Sequence, residues 1–529
     1  MTSTEILFGQ SYYLRFDPKL YAAMQPYPPL GALYAASYLR EKGYTVDLFD
    51  AMLAESEAEW ASALDRSRPR FAVLYEDNFN YLSKMCLLRM RQAAFTMIGQ
   101  ARERGCTVIV AGADPSDHAE MYLEQGAEYV LLGEGELTLG ELLDALTGRS
   151  DQPREAILGL SYLQEGNLGR AETRRNPPRP EIKDLDALPF PAWDLVDLGR
   201  YRAIWMERHG YISMNVATTR GCPFHCNWCA KPIWGQRYNV RSPENVVAEL
   251  RWLAEAYRPD HIWFVDDIFG LKPGWLPRFA DLLCEHDLRL PFKCLSRADL
   301  LLREGEIDAL RRAGCQIVWI GAESGSQEVL NAMDKGIKVG QIHQAAQDLR
   351  AAGVQVGFFL QFGYPGEERA DVEKTLQLVR QARPDDIGMS VSYPLPGTGF
   401  HAAVRAQLGE RQNWMDSEDL AMLYKGPFST AFYRQLHRVL HKEFRARKAW
   451  RRLTGQGASV AVPLTSNRRE DPSWLKSLVG LLSNGLSLPL ERWRLDRLEK
   501  LPHRSIEPLP QRLSFEAAAT PSKQEQESP

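Results

Sequence analysis

The sequence lacks the long apolar runs that membrane proteins carry. No uninterrupted stretch reaches the roughly eighteen apolar residues that a spanning helix needs. The most apolar late stretch, residues 477–490, is interrupted by Ser, Asn and Gly. A basic N-terminal segment followed by an apolar block is also missing. We therefore expect neither a transmembrane segment nor a signal peptide.

The sequence also has few cysteines and no large excess of charge of one sign. Eight cysteines among 529 residues are too few for a disulfide scaffold, which favours a reducing, cytoplasmic location. The 64 Lys and Arg residues nearly balance the 68 Asp and Glu residues, for a net charge of −4. Binding of a nucleic acid through bulk charge is therefore not expected. The length predicts about three or four domains of ordinary soluble composition.

The first 150 residues alternate between short apolar runs and helical patterns. Strands are predicted over 5–8, 45–49, 71–75, 107–111 and 128–132, and helices over 29–42 and 84–103. This alternation predicts an α/β domain with a doubly wound, Rossmann-like parallel sheet over residues 1–150. Ligands of such sheets bind beyond the carboxyl ends of the strands. Here these ends carry Gly112-Ala113-Asp114 and Gly133-Glu134-Gly135-Glu136.

A second alternating segment follows a proline-marked connector, predicted over residues 151–200. Six apolar strands are predicted at 213–219, 261–265, 292–295, 315–320, 354–362 and 387–391, with helices such as 243–257 and 339–352 between them. Six strand–helix units over residues 201–400 predict a partial (β/α)6 barrel. Its active site should lie at the carboxyl ends of the strands.

The remainder of the chain is mainly helical in pattern. A helical region is predicted over 401–502 and a disordered tail over 503–529. Residues 431–453 combine apolar positions at helical spacing with many Arg and Lys residues. We interpret them as an amphipathic helix that packs on the barrel with its charges solvated. Contact with an anionic substrate, an RNA or a membrane surface is the alternative.

Three cysteines lie within eight residues, directly after the first barrel strand. Cys222, Cys226 and Cys229 stand in RGCPFHCNWC with the spacing C-x3-C-x2-C. Thiolates this close on one loop suit an iron–sulfur cluster with one iron left open. Structural zinc is the alternative, with His225 as a fourth ligand. A disulfide would use only two of the three thiols and does not agree with a reducing compartment.

This motif, with Trp228 as the aromatic residue before the last cysteine, resembles the signature of the radical S-adenosylmethionine (SAM) superfamily. The resemblance implies that the cysteines are catalytic and hold a [4Fe–4S] cluster, whose open iron binds SAM. Reductive cleavage of SAM would then give a 5′-deoxyadenosyl radical that activates the substrate.

The same resemblance implies SAM-binding residues at the other strand ends. They are Asp266, Asp267, Ser296, Arg297, Glu323, Gly363 and Pro396. Each has a plainer interpretation as well. The paired aspartates can cap a helix, and the segments around Gly363 and Pro396 have ordinary turn composition.

The N-terminal domain resembles the cobalamin-binding domain of class B radical SAM enzymes, and the phrase LDALPFPAWDL resembles their interdomain junction. The resemblance implies cobalamin contacts at Gly31, Gly112, Glu134, Gly135 and Glu136. One departure is the absence of the D-x-H-x-x-G motif, whose His binds cobalt from below. His118 follows Asp117 directly and is interpreted as a surface or hydrogen-bonding residue. Cobalamin would then bind without a His ligand from that motif.

By resemblance, the chain is a cobalamin-dependent radical SAM enzyme that transfers a methyl group from methylcobalamin to an unactivated carbon. Its substrate would be a small biosynthetic intermediate, and flavodoxin or ferredoxin would supply electrons. The alternative is a cyclase or other oxidative enzyme of the anaerobic magnesium-protoporphyrin ester cyclase type. A third hypothesis is a non-catalytic iron–sulfur regulator that binds nucleic acid through residues 434–452. Methylthiolation of tRNA is disfavoured, because only Cys86 and Cys106 precede the triad.

Overall fold

A computed structural model describes residues 4–165, 171–229, 233–408, 412–418, 420–454 and 473–500. The predicted disordered tail lies outside the described residues. None of the described helices is long and apolar enough to cross a membrane.

The first unit is built on a seven-stranded sheet. Its elements are β1 (Ile6–Gly9), α1 (Pro18–Ala23), α2 (Leu30–Glu41), β2 (Val46–Leu48), α3 (Ala58–Ser67), β3 (Phe71–Tyr75), α4 (Tyr81–Lys84), α5 (Leu88–Glu103), β4 (Thr107–Ala111), α6 (Ala113–Asp117), α7 (Ala119–Glu124), β5 (Tyr129–Leu131), α8 (Gly135–Leu146), β6 (Leu160–Glu165) and β7 (Ala171–Arg175). The strand order is β2-β1-β3-β4-β5-β6-β7. The first five strands are parallel, as the alternation predicts.

Burial explains why these strands form. All five residues of β3 are buried, because helices cover both faces of the parallel sheet and leave no polar side to the strand. Separate apolar clusters lie on the two faces, one around Trp60 and Met97 and one around Leu39 and Leu142. The doubly wound fold is thereby confirmed for this unit.

Two sequence predictions in this unit need correction. The helix predicted over 84–103 is broken: α4 ends at Lys84, and α5 begins only at Leu88. Cys86 between them has a left-handed backbone with φ +54°, which no helix accommodates. The predicted connector, 151–200, is not extended throughout, because β6 and β7 pair antiparallel and lengthen the sheet.

The second unit is a partial barrel. Its elements are α9 (Leu198–His209), β8 (Ser213–Val216), β9 (Thr219–Arg220), β10 (Asn239–Val240), α10 (Pro243–Ala256), β11 (His261–Phe264), α11 (Trp275–Glu285), β12 (Phe292–Ser296), α12 (Ala298–Leu301), α13 (Glu306–Arg312), β13 (Cys315–Glu323), α14 (Gln327–Ala332), α15 (Val339–Ala351), β14 (Gln355–Phe362), α16 (Arg369–Ala382) and β15 (Asp386–Val391).

Six parallel strands form the barrel sheet in the order β8-β11-β12-β13-β14-β15, and all six predicted strands are present. Sequential neighbours joined by helices place every carboxyl end at the same edge of the sheet. The cysteine loop and the predicted SAM-binding residues therefore share that edge. The partial (β/α)6 barrel is confirmed.

The C-terminal region is helical, as predicted, with α17 (Gly399–Val404), α18 (Thr430–Leu453) and α19 (Ser473–Glu499). One face of α18 is buried, including Phe432, Leu436 and Val439, and it belongs to the same apolar cluster as the barrel strands. The interpretation of α18 as an amphipathic helix packed on the barrel is therefore confirmed. The domain boundaries given from the sequence stay a prediction.

Candidate active site

The cysteine loop begins at a sharp turn after the short strand β9. Gly221 precedes Cys222 with φ +82°, and a Cβ there would collide with the backbone carbonyl of Arg237. Only glycine tolerates both conditions. Cys226 is buried, and the Cys229 N–H donates to the Cys226 carbonyl at 3.2 Å, which folds the end of the loop back on itself.

Cationic side chains surround the thiol of Cys226. The Arg297 Nη1 lies 4.0 Å from the Cys226 Sγ, and its guanidinium lies 3.6 Å from the ring centroid of Phe224. Lys335 is buried nearby. Burial acts to lower its pKa, but the charges of Glu323 and Cys226 raise the pKa above its ordinary value. Arg297 and Lys335 therefore bring positive charge next to the cysteine loop, which suits an anionic metal cluster.

The three cysteines suit an iron–sulfur cluster by the chemistry of their donor atoms. No three His, Cys, Asp or Glu side chains of the described residues are gathered closely enough to hold one ion. A cubane cluster binds each thiolate through a different iron atom, so its ligands stand farther apart than those of one ion. Three cysteine thiols on one loop beside Arg297 provide ligands of the right chemistry for such a cluster.

Asp266 fixes the segment that leads into the cysteine loop. Its buried carboxylate accepts hydrogen bonds from the Thr218 N–H, the Thr218 Oγ1 and the Thr219 N–H at 2.7, 2.5 and 2.8 Å. Burial raises its pKa to about 6 against these hydrogen bonds. Neighbouring Asp267 pairs instead with Lys84 of the first unit, at 2.7 Å. The predicted SAM contacts of both acids stay predictions, since both carboxylates already have protein partners.

The other predicted SAM-binding residues lie at the same edge. Arg297 bonds to Asp299 and donates to the Lys335 carbonyl at 2.9 Å. Glu323, with a left-handed φ of +55°, pairs with Lys335 at 2.8 Å. Strain of this kind in a buried acid is typical of functional sites. Gly363 donates to Glu367 at 2.7 Å. Ser296 and Pro396 are partly accessible at the ends of β12 and of the segment after β15.

The carboxyl end of the first sheet meets this edge through Arg220. Its Nη1 lies 2.9 Å from the Glu134 Oε1, and its Nη2 lies 2.7 Å from the Glu136 Oε1. All three side chains are buried, and the two carboxylates outweigh burial and raise the pKa of Arg220. Glu134 and Glu136, predicted to contact cobalamin, thus join the two units beside the cysteine loop.

The rest of that sheet edge is shaped by glycine and by buried acids. A Cβ at Gly112 would lie 2.5 Å from the Glu76 Cβ, and its φ is +144°. The Gly31 N–H donates to Asp77 at 3.0 Å. Burial raises the pKa of Glu76 to about 7 and that of Asp77 to about 6.

Further features at this edge suit a polar ligand. The Asn78 Oδ1 and the Ser83 Oγ are buried and meet no hydrogen-bond partner among the described residues. A Cβ at Gly135 would lie 2.7 Å from the Tyr75 hydroxyl oxygen, so the backbone at the start of α8 packs closely against the Tyr75 side chain. This edge therefore fits a large group rich in amides, such as cobalamin. His118 lies at the C-terminal end of α6, and its Nε2 is 3.7 Å from the Asp114 Oδ1.

Sequence reasoning missed Tyr81. Its ring, at the start of α4, is 60% exposed. Even so, desolvation by the surrounding protein, followed by the charges of Cys229 and Glu323, raises its pKa. The charge interactions bring Tyr81 of the first unit near Cys229 and Glu323 of the barrel. No local motif in DNFNYLS could have signalled this.

A Rossmann-like unit docked against the thiol loop of a partial barrel defines a two-cofactor enzyme. Two family models match these units: the B12 binding domain over residues 22–143 and the Radical SAM superfamily over residues 216–379. The chain belongs to the cobalamin-binding radical SAM enzymes. The resemblance found in the sequence is thereby confirmed, together with the cofactors [4Fe–4S], SAM and cobalamin.

Curated relatives extend over most of the chain. An uncharacterised methyltransferase of Pyrococcus horikoshii is 28% identical over 424 residues, which cover 79% of this chain and 87% of the relative. The hopanoid C-3 methylase of Methylococcus capsulatus is 25% identical, over 80% and 77% of the two chains. The anaerobic magnesium-protoporphyrin IX monomethyl ester cyclase of Rubrivivax gelatinosus is 24% identical, over 74% and 68%.

Solved structures share the fold at lower identity. TsrM from Kitasatospora setae, with cobalamin and a [4Fe–4S] cluster bound, has a TM-score of 0.62 at 20% identity and covers 77% of this chain and 75% of its own. OxsB with aqua-cobalamin bound has a TM-score of 0.59 at 20% identity. That match covers 72% of this chain but only 52% of the OxsB chain.

Proposed function

We propose that this enzyme transfers a methyl group to an unactivated carbon of a small biosynthetic intermediate. The observation that carries the proposal is the buried bridge between the units. Arg220, two residues before Cys222, is held by Glu134 and Glu136 at the carboxyl end of the first sheet. The two cofactor-binding edges are thus fixed against each other across one space. Relatives named as methyltransferases support this reaction.

Each cofactor has residues that suit it. Cys222, Cys226 and Cys229 would hold the cluster, with Arg297 beside the Cys226 thiol. The cofactors supply the hard chemistry: reductive cleavage of SAM to a 5′-deoxyadenosyl radical, and methyl transfer through cobalamin. Asp266 positions the loop through Thr218, and the Glu323–Lys335 pair holds the fourth strand end in its strained conformation. These residues fix the geometry on which radical chemistry depends.

Cobalamin would rest on the sheet edge beside Gly31, Gly112 and Gly135, whose missing side chains let the backbone pack closely against Asp77, Glu76 and Tyr75. Glu134 and Glu136 act as positioning residues toward Arg220. His118 would not ligate cobalt, since it lies beside Asp114 rather than in a D-x-H-x-x-G motif. We further propose a cytoplasmic location and a flavodoxin or ferredoxin as the electron donor.

The test is an isotope experiment on anaerobically reconstituted protein. SAM with a deuterated methyl group, a reductant, cobalamin and an extract of small metabolites are incubated together. We expect S-adenosylhomocysteine to accumulate and one metabolite to gain the labelled methyl group. A matched preparation of Cys226→Ala should form neither product. Reconstituted protein that fails to retain cobalamin would contradict the proposal at its first step.

A cyclisation or oxidation is the second candidate, because the Rubrivivax gelatinosus relative and others bear the name of a cyclase. The same experiment separates the two reactions. Cyclisation would yield 5′-deoxyadenosine without S-adenosylhomocysteine and without label in the product. The matched family is one of enzymes, which argues against the regulator hypothesis.

A further inference from the structure

The barrel sheet has one face under helices and one face that is open. Residues such as Phe264, Val318 and Phe358 are buried in the core beneath the helices. The alternate residues point the other way, and Phe359 is 41% exposed. Its strand, β14, lies between β13 and β15, so its side chains would be covered if that face were packed. The inner face of the sheet is therefore accessible at β14, and we refer to the space in front of this face as the cavity.

One wall of this cavity is aromatic. The rings of Trp319 and Phe359 stack with centroids 4.7 Å apart and an interplanar angle of 26°. Each ring lies over a glycine of the neighbouring strand. Trp319 is in register with Gly357, and Phe359 is in register with Gly388. A Cβ at Gly357 would overlap the indole, and one at Gly388 would lie 3.3 Å from the phenyl ring. Both rings thus lie flat and present a broad apolar surface.

Lys293 of β12, the strand next to β13, lies on the same inner face and is in register with Ile317, two residues before Trp319. It pairs in register with Trp263, and its Nζ lies 3.6 Å from the centroid of that indole. None of the ion pairs of the described residues includes Lys293. Burial alone lowers its pKa to about 7, with no carboxylate to counter it. An ammonium in this position is stabilised by an anion that enters the cavity.

Tyr27 of the first unit packs against the barrel sheet next to Lys293. The Tyr27 hydroxyl donates to the Ser213 Oγ at 2.9 Å, and the Tyr27 ring packs edge-on against Trp263 with centroids 5.1 Å apart. Its ring centroid lies 5.3 Å from the Lys293 Nζ. The Trp205 Nε1 donates to the Pro26 carbonyl and holds this segment in place. This packing limits the access of water to Lys293 from the side of the first unit.

We propose that this cavity selects a flat or elongated apolar molecule that carries an acidic group at one end. Trp319 and Phe359 would contact the apolar body, and Lys293 would pair with the anion. Lys293 lies three residue steps before Ser296 at the end of β12, about 10 Å of extended chain. The acid would therefore lie below the cofactor edge, near the level of Lys293. This assignment of a substrate class rests on the proposed function, but ligand binding can be measured without turnover.

The test uses two probes that differ only in charge, 4-(1-pyrenyl)butyrate and 4-(1-pyrenyl)butanol. Their affinities for the anaerobically reconstituted enzyme are measured by equilibrium dialysis. We expect Lys293→Met to weaken the butyrate at least about tenfold, because its anion loses a buried partner. The butanol should change by less than about twofold on the same scale. Lys293→Arg, which keeps the charge, should retain most of the butyrate affinity.

Phe359→Ala should weaken both probes, since it removes apolar surface and no charge. Lys183→Met, an exposed lysine outside the cavity, is the matched control and should change neither. The proposal is overturned if Lys293→Met affects both probes alike, if Phe359→Ala affects neither, or if the unmodified enzyme binds neither. Absorbance of the cluster and an unchanged unfolding midpoint confirm that each variant folds. Failure of methyl transfer would leave these affinities unaltered, so the two proposals fail separately.

Discussion

Arg220 and Glu136 are 84 residues apart in the chain, and their side chains meet at 2.7 Å in the buried space between the two units. The contact joins the strand just before the first cluster cysteine to the helix that opens at the carboxyl end of the cobalamin-type sheet. One guanidinium, shared with Glu134, therefore sets the cysteine loop relative to the cobalamin-binding edge.

Removing this guanidinium should destabilise the docking of the two units. Arg220→Met leaves two buried carboxylates without their partner, at a cost of about 3–5 kcal/mol. We expect a lower midpoint of thermal unfolding and faster proteolysis between residues 151 and 200. The triple variant that adds Glu134→Gln and Glu136→Gln should recover part of the loss, because it no longer buries unpaired charge. Equal stability of Arg220→Met and the unmodified protein would contradict the interpretation.

Each of the three loop cysteines should be needed for a full complement of iron. Alanine variants of Cys222, Cys226 and Cys229 are expected to lose most bound iron and the broad visible absorbance of the cluster. The control is Cys284→Ala, whose thiol is exposed on α11 away from the loop. Iron and sulfide analysis after anaerobic reconstitution measures the outcome. Full iron content in any one loop variant would remove that cysteine from the ligand set.

Arg297 should make the cluster easier to reduce. Its Nη1 lies 4.0 Å from the Cys226 Sγ, so its positive charge favours the more negative, reduced state. Arg297→Gln should therefore shift the reduction potential to a more negative value, as measured by anaerobic titration with spectroscopic detection. Arg303→Gln is the control, because Arg303 bonds to the Leu271 carbonyl instead. An unchanged potential in Arg297→Gln would show that the charge is screened from the cluster.

Gly112 should be required for the cobalamin-binding edge. In Gly112→Ala the new Cβ would lie 2.5 Å from the Glu76 Cβ, at a φ of +144° that alanine rarely adopts. We expect a lower unfolding midpoint and weaker retention of added cobalamin after gel filtration. Gly99→Ala provides the matched control within a helix, where nothing lies within 4 Å of the new methyl group. That change should be neutral or stabilise the chain by about 0.5–1 kcal/mol.

The buried Glu367 should make stability depend on pH. Its Oε2 accepts from the Gly363 N–H, and burial raises its pKa to about 8. The unfolded state releases this proton near the ordinary pKa of about 4.3, so stability should fall as pH rises from there to about 8.

Glu367→Gln removes this dependence. The difference in unfolding midpoint between variant and unmodified protein should therefore grow in favour of the variant as the pH rises through that window. Exposed Glu304→Gln is the control and should give no such trend. A constant difference at every pH would show that Glu367 is ionised throughout.

Local patterns predicted much of the fold. The alternation of apolar runs and helical patterns predicted both bounds of β3 and of β4. A strand that is buried on both faces has an almost continuous apolar run, which marks where it begins and ends. The break at Cys86 was missed, since nothing in the sequence around it marks a left-handed residue. The hairpin of β6 and β7 was also missed, because its outer strand is polar and mostly exposed. Such an edge strand carries no apolar pattern.

The sequence by itself determined the order of the elements, the thiol spacing and the family, because these depend on residues close together in the chain. Only the tertiary structure decided the partners: Arg220 with Glu134 and Glu136, Asp267 with Lys84, and Tyr81 near Cys229 and Glu323. It also placed Lys293, Trp319 and Phe359 on one concave face. The physical reason is that strand register and domain docking bring distant side chains together, and neither is encoded in a local period.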